Sequence, residues 1–365
     1  QRIELSNVDD VRDVVHRAVA CLAQGGVVVL PSETPLCLAA NLLQTKAVER
    51  MLAASRVVPG EPPLILALQS PQAVYDWVPD ISQLGSRLAR KSWPGPIILQ
   101  FEGVSLNEGL ASRLPGEVRA KIAPKTAIAM WQPSHEIVRE ILRLTSAPIA
   151  FAPTLGMPDT LDLDPEIDLW IDDGAFNPVV PTLVQVEGNS WRVLRAGHVE
   201  ETQIRRLAAT HIVFVCAGNT CRSPMAEAYL KDSLCGQFDC RPAELKDRGY
   251  IVESAGLSAS SGESAADAAI ELCHGKGGGL LDHRSQRLSR ELASRADWIV
   301  TMTYDQREAI LSAQPMLVDR VLMLDPEEHD IDDPFGRGKN VYLSTSRAIS
   351  EHVRGLLKRI EPQGH

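Results

Sequence analysis

One stretch, HIVFVCAGNTCRSPMAE over residues 211–227, constrains this chain more than any other. Its apolar start, residues 211–215, reads as a strand buried on both faces. Pro224 and Glu227 then suit the first turn of a helix over residues 224–234. Strand, short loop and helix in that order put Cys216 at a strand's carboxyl end, with Arg222 at the start of the helix. The loop residues Ala217, Gly218, Asn219, Thr220 and Cys221 are small. Their backbone N–H groups can therefore curl round one anion as a nest. The helix points its positive end at the same spot. Gly218 and Asn219 are residue types that accept the left-handed dihedrals such a curl requires.

Each side chain of the segment then has a chemical use. Amides, helix dipole and Arg222 favour the thiolate of Cys216, the nucleophilic form. Ser223 can donate a further hydrogen bond to the sulfur, and the planar fork of Arg222 matches two phosphate oxygens. A thiolate that attacks phosphorus also needs a proton donor for the leaving group. DIDDPFGRG, residues 330–338, supplies carboxyls beside a Pro and a Phe-Gly turn. Asp333 is the expected acid, with Asp332 its neighbouring rival and Asp330 a more distant one. No metal is expected: Cys235 and Cys240 have four residues between them and no nearby His partner, and read as structural.

At 365 residues the chain is too long for one ordinary core, so two domains are expected. Residues 210–365 alternate strands (251–252, 298–302, 321–324) with helices (265–273, 289–296, 305–313, 344–360). That pattern argues a parallel sheet covered on both faces. Residues 1–205 read as mixed α/β, with helices at 9–22, 45–54 and 136–144. Strands are expected there at 27–30, 64–68, 97–101, 127–131 and 183–186. The joint falls within the polar stretch 195–210. A net charge of −10 argues against nucleic acid as main partner. The longest apolar run is too short for a membrane span. Seven cysteines without a regular framework point to a reducing, cytoplasmic compartment. No leader is visible, and Gln1 reads as a trimmed start.

These residues carry a resemblance. CAGNTCRSPMAEA, ESAGLSA from Glu253, HRSQRLSRELASRADWIVTM from His283, DIDDPFGRG and the final helix resemble the low-molecular-weight protein tyrosine phosphatase family. The resemblance covers essentially that family's whole length. It implies a flavodoxin-like parallel sheet, a cysteinyl-phosphate intermediate, no metal or other cofactor, and phosphorylated proteins as substrates. It assigns the nucleophile to Cys216, the clamp to Arg222 and the acid to Asp333, with Asn219 and Ser223 as stabilisers.

Thr220 is a departure that bears on the substrate. Tyrosine-specific members usually carry an apolar Ile or Leu there, whereas a Thr resembles the branch that removes phosphate from arginine. Its hydroxyl can accept from a guanidinium N–H, which an apolar side chain leaves unpaired at a cost of ~1–3 kcal/mol. Phe335 also resembles that branch, so phosphoarginine is the expected substrate and phosphotyrosine the alternative. Cys221 suggests a reversible disulfide with Cys216. Arsenate reduction on the same fold needs further resolving cysteines, of which only Cys273 is placed plausibly.

Residues 1–205 resemble the Sua5/YrdC family, which makes threonylcarbamoyl-adenylate for tRNA modification. GGVVVLPSETPLCLAAN, PPLILAL, ARKSWPGPIIL, PSHEIVREIL, LWIDDGAFNPVVPTLVQV and VLRAG carry that resemblance. It implies a twisted mixed sheet with a concave nucleotide cleft. The family's Lys-Gly-Arg-Pro element reads Arg56-Val57-Val58-Pro59 here. Leu36 stands for its Tyr, Trp131 for an Arg, Thr154-Leu155-Gly156 for Ser-Ala-Asn and Pro181 for a Ser. Ser32, Thr34, His135, Thr182 and Arg195 remain, and Ser32, Thr34, Arg56, Thr182 and Arg195 are expected to line a ligand site of unknown occupant. The expectation is a degenerate, non-synthesising domain; the alternative is a bifunctional enzyme.

Overall fold

The computed structural model describes residues 1–33, 36–55, 62–153, 164–174 and 180–360. The chain forms two compact units, Gln1–Leu207 and Ala208–His365. No described helix is long and apolar enough to cross a membrane.

Unit 1 holds a ten-stranded mixed sheet. Its strands are β1 (Arg2–Glu4), β2 (Val28–Leu30), β3 (Cys37–Asn41), β4 (Ile65–Ala67), β5 (Ile97–Phe101), β6 (Ile128–Trp131), β7 (Ile149–Pro153), β8 (Leu169–Asp172), β9 (Thr182–Glu187) and β10 (Ser190–Arg195). They lie in the order β1-β8-β2-β3-β7-β4-β6-β5-β9-β10, with β1/β8, β2/β8, β4/β6 and β5/β9 parallel. The helices Thr45–Ala54 and Glu136–Leu144 match the apolar spacing in the sequence, and Val11–Ala23 starts at an Asp10 cap. Five strands, β1, β3, β7, β8 and β10, carry no separate strand signal in the sequence reading. Cys37–Asn41 and Ile149–Pro153 are rich in Ala, which has little strand preference, and pairing with neighbours makes them strands. The polar joint, where Ile204 and Leu207 form a helical patch in the sequence, carries a helix, Glu201–Ala208.

Unit 2 is built on four parallel strands: β11 (Thr210–Cys216), β12 (Tyr250–Gly256), β13 (Trp298–Thr301) and β14 (Val321–Met323), in the order β12-β11-β13-β14. Every residue of β11 is buried. Ile212, Phe214 and Cys216 face one core with Met225 and Leu230, while Val213 and Val215 face a second with Leu292 and Ile310. A strand covered on both faces is mostly apolar, which is why residues 212–215 read as an unbroken run, with Thr210 and His211 as its buried polar start. The order is the first four strands of the flavodoxin-like arrangement. The chain passes from β12 on one side of β11 to β13 on the other, so the sheet reverses direction at β11. Ligands of such sheets bind outside the carboxyl ends of the strands at that reversal. Cys216 is the last residue of β11.

Candidate active site

The helix after the loop runs over Arg222–Phe238, two residues earlier and four later than its sequence signal. Cys221 holds its N-cap position without a capping side chain. The amides of the first turn are thus left to be served by an anion or by water. Asn219 takes the left-handed conformation, with φ 57°. Gly218 does not adopt a positive φ, so the expected pair of left-handed residues reduces to Asn219.

Asn219 is the hub of the loop. Its backbone N–H donates to the Cys216 sulfur at 3.3 Å. Its side-chain amide donates to Ser223 Oγ at 3.0 Å and Ser254 Oγ at 2.9 Å. Its side-chain oxygen accepts from the Gln286 backbone N–H at 2.9 Å, and its carbonyl accepts from His283 Nε2 at 2.8 Å. Five such bonds hold a conformation that is strained for a non-glycine residue. Ser223 Oγ lies 3.0 Å from the Cys216 sulfur and donates to the Ala255 carbonyl at 3.2 Å. Ala217 is exposed, Gly218 and Thr220 are half-buried, and Cys216, Cys221, Arg222 and Ser223 are buried. Gly256 closes the floor: a Cβ there would lie 2.5 Å from the Ala217 carbonyl oxygen and 3.0 Å from the Asn219 nitrogen.

Across the loop, Arg222 is 5% exposed. Its Nη1 donates to the Ile331 carbonyl at 3.0 Å, and its Nη2 donates to the Asp333 carboxylate. The second Asp333 oxygen accepts from the Phe335 N–H at 3.1 Å. The rivals are placed differently. Asp330 accepts from the Tyr304 N–H at 2.7 Å, and exposed Asp332 engages Thr345 through its carbonyl. Only Asp333 of the three is joined to Arg222 among the described contacts. Cys221 Sγ lies 3.2 Å from the Tyr342 hydroxyl. Burial pushes the Cys221 thiol above its ordinary value, and burial with Cys221 as neighbour pushes Tyr342 up as well.

Residue-by-residue reading of the sequence missed Ser254, Gly256, His283 and Gln286. They sat inside stretches quoted for family resemblance, ESAGLSA and HRSQRLS, and those stretches were the signal for them.

Of the unit 1 residues expected around a ligand, Ser32, Thr182 and Arg195 are described, as is His135. Thr34 and Arg56 lie outside the described residues, as do Val58 and residues 154–156. Thr182 is fully buried, and its hydroxyl donates to the Val199 carbonyl and accepts from the Val199 N–H. Arg195 donates to the Pro181 carbonyl at 3.0 Å, and Ser32 is half-buried. His135 Nε2 lies 3.2 Å from Asp173. Trp131 is 1% exposed, edge-on to Phe151, with its indole N–H on the Gly95 carbonyl at 2.7 Å. An indole held in that way is part of the core.

Comparison with known proteins divides the chain likewise. A family model described as low molecular weight phosphotyrosine protein phosphatase matches residues 211–365. The Sua5–YciO–YrdC model, described as telomere recombination, matches residues 20–197. A probable low molecular weight protein-tyrosine-phosphatase of Ralstonia nicotianae, EpsP, is 35% identical over 154 residues, 42% of this chain and 97% of its own. The protein-arginine-phosphatase of Bacillus subtilis is also 35% identical over 154 residues, 41% of this chain and 96% of its own. The low molecular weight protein-tyrosine-phosphatase Wzb of Escherichia coli K12 is 30% identical, over 40% of this chain and 90% of its own.

Proposed function

Because the chain belongs, through residues 211–365, to the low molecular weight phosphotyrosine protein phosphatase family, we propose that it hydrolyses phosphoarginine in proteins through a phosphocysteine at Cys216. The observation that carries this is the Cys216 sulfur receiving the Asn219 N–H, with the Ser223 hydroxyl 3.0 Å from it and Arg222 donating to Asp333 across the loop. Phosphate oxygens take the amides of residues 217–222 and the guanidinium of Arg222, displacing the Asp333 carboxylate from it. Released from Arg222, Asp333 takes up a proton from solvent; Cys216 then attacks phosphorus while Asp333 gives that proton to the leaving nitrogen. Asp333 then takes a proton from the water that cleaves the thiophosphate bond.

Arginine and tyrosine relatives share equal identity with the chain, so overall similarity decides nothing between them. Thr220 favours arginine. It is half-buried in the loop, and its hydroxyl is 3.7 Å from the Cys221 sulfur, a weak partner. That leaves the hydroxyl able to accept from a substrate guanidinium. The test compares phosphoarginine and phosphotyrosine peptides on the purified chain, with Cys216→Ser as control. A higher kcat/KM for phosphotyrosine overturns the arginine reading, and turnover by Cys216→Ser overturns the nucleophile.

For unit 1 the reading is a domain that no longer makes threonylcarbamoyl-adenylate. Its support is Trp131, packed as a core residue where the Sua5/YrdC pattern has a cation.

A further inference from the structure

The far end of the helix Arg222–Phe238 holds two thiols with no part in the chemistry above. Asp239 ends the helix in the left-handed conformation, φ 47°, and the Cys240 N–H donates back to the Cys235 carbonyl at 3.2 Å. That bond, from the second residue past the cap to the third residue before it, is the mark of a Schellman turn. Such turns bring the side chains of those two positions together. Here both are cysteines, both free, both half-buried, and both packed against the same core. Burial first, and then the neighbouring Cys240 thiol, push the Cys235 thiol above its ordinary value.

We propose that Cys235 and Cys240 form a reversible disulfide that staples the C-terminal end of this helix. The 3.2 Å backbone bond folds one position over the other and so draws the two Cα atoms towards the short separation a disulfide needs. The oxidant is a small disulfide such as oxidised glutathione. One of the two protein thiols attacks it first; a mixed disulfide forms and one thiol leaves. The other protein thiol then attacks the mixed disulfide, closing the Cys235–Cys240 bond and releasing the second thiol. The two protein thiol protons end on the two released thiols. Cys235 lies thirteen residues along the helix from Arg222, about 20 Å. Oxidation here therefore leaves Cys216 and its loop untouched, unlike a bond between Cys216 and Cys221.

The full chain, equilibrated at rising ratios of oxidised to reduced glutathione, is trapped with an alkylating reagent and digested with trypsin. Cleavage after Lys231 and Lys246, with Arg241–Pro242 resisting, leaves both cysteines on one peptide, apart from Cys216 and Cys221. The expected peptide is lighter by two hydrogens, carries no alkyl group, and reverts with dithiothreitol. Cys235→Ser should replace that product with an alkylated or glutathione-bound Cys240. Full alkylation of both thiols at the oxidising end, or stable glutathione adducts on the unsubstituted pair, overturns the proposal.

Discussion

The buried guanidinium of Arg222 donates to the half-exposed carboxylate of Asp333, 111 residues along the chain. The carboxylate thus stands beside the cation that a phosphate would claim. Among the described contacts, Asp332 is engaged only through its carbonyl, by Thr345. Asp333→Asn should lower turnover about 10²–10⁴-fold on a poor leaving group and much less on an activated aryl phosphate. Asp332→Asn should leave both rates near normal. The reverse pattern, read from kcat on the two substrates, would give the acid's role to Asp332.

Thr220→Ile exchanges a hydroxyl for apolar surface inside the loop. Phosphoarginine should lose about 10-fold or more in kcat/KM, since one guanidinium N–H goes unpaired. Phosphotyrosine should gain. An unchanged ratio of the two specificity constants would remove Thr220 from the choice of substrate.

Gly256→Ala tests the floor of the loop. The added methyl would sit 2.5 Å from the Ala217 carbonyl oxygen, a backbone atom without a flexible escape. Strain of this kind costs about 1–3 kcal/mol. A displaced nest should slow turnover about 10²-fold. Urea unfolding and kcat measured together would decide the matter, and wild-type turnover would mean that the loop has room to move.

Glu253 offers a pH test away from the chemistry. His211 Nε2 lies 2.8 Å from its carboxylate, and that bond holds Glu253 below the usual carboxylate range against the opposing effect of burial. A depressed folded value stabilises the protein above the unfolded pKa, and that stability is lost as pH falls through the folded one. Glu253→Gln should therefore cost about 1 kcal/mol at neutral pH, the low end for a charged bond because the carboxylate is partly exposed. The cost should shrink towards zero below about pH 4. A cost that persists in acid would show that shape, and not charge, is what the position supplies.

How far these features could be read in advance depends on how local they are. Cys216, Asn219, Arg222 and Ser223 lie within eight consecutive residues, and strand, loop and helix together fix their geometry. Asp333 is remote, yet Pro334 and the Phe-Gly turn mark it. Ser254 and Gln286 act on Asn219 through single long-range hydrogen bonds, one of them from a backbone N–H. No periodicity or spacing encodes such a bond. Gly218 misled because glycine permits a left-handed turn without requiring one, and Asn219 makes that turn here. In unit 1, β3 and β7 are strands because their neighbours pair with them, and their Ala-rich sequences gave no sign of it.

Unit 1 should show no ATP-dependent threonylcarbamoyl-adenylate synthesis. A triphosphate needs fixed cations, and the Sua5/YrdC pattern places one at position 131 and another at 58. Val58 lies outside the described residues, but its side chain carries no charge whatever its position. Trp131 has become structural: the indole fills the sheet's core against Phe151 and its N–H is satisfied by Gly95. Two of the polar residues that remain of the pattern are also engaged, Thr182 with Val199 and Arg195 with Pro181. Each charge-assisted bond lost costs about 1.5–3 kcal/mol, so two lost cations should weaken binding by about two to four orders of magnitude. Trp131→Arg alone should not restore binding, because it buries an unpaired charge in the core and should destabilise the unit by several kcal/mol. Calorimetry with ATP and threonine on the full Cys216→Ser chain, with a pyrophosphate assay in bicarbonate, reads the outcome. Micromolar ATP affinity together with bicarbonate-dependent pyrophosphate release would make the chain bifunctional and end the degenerate reading.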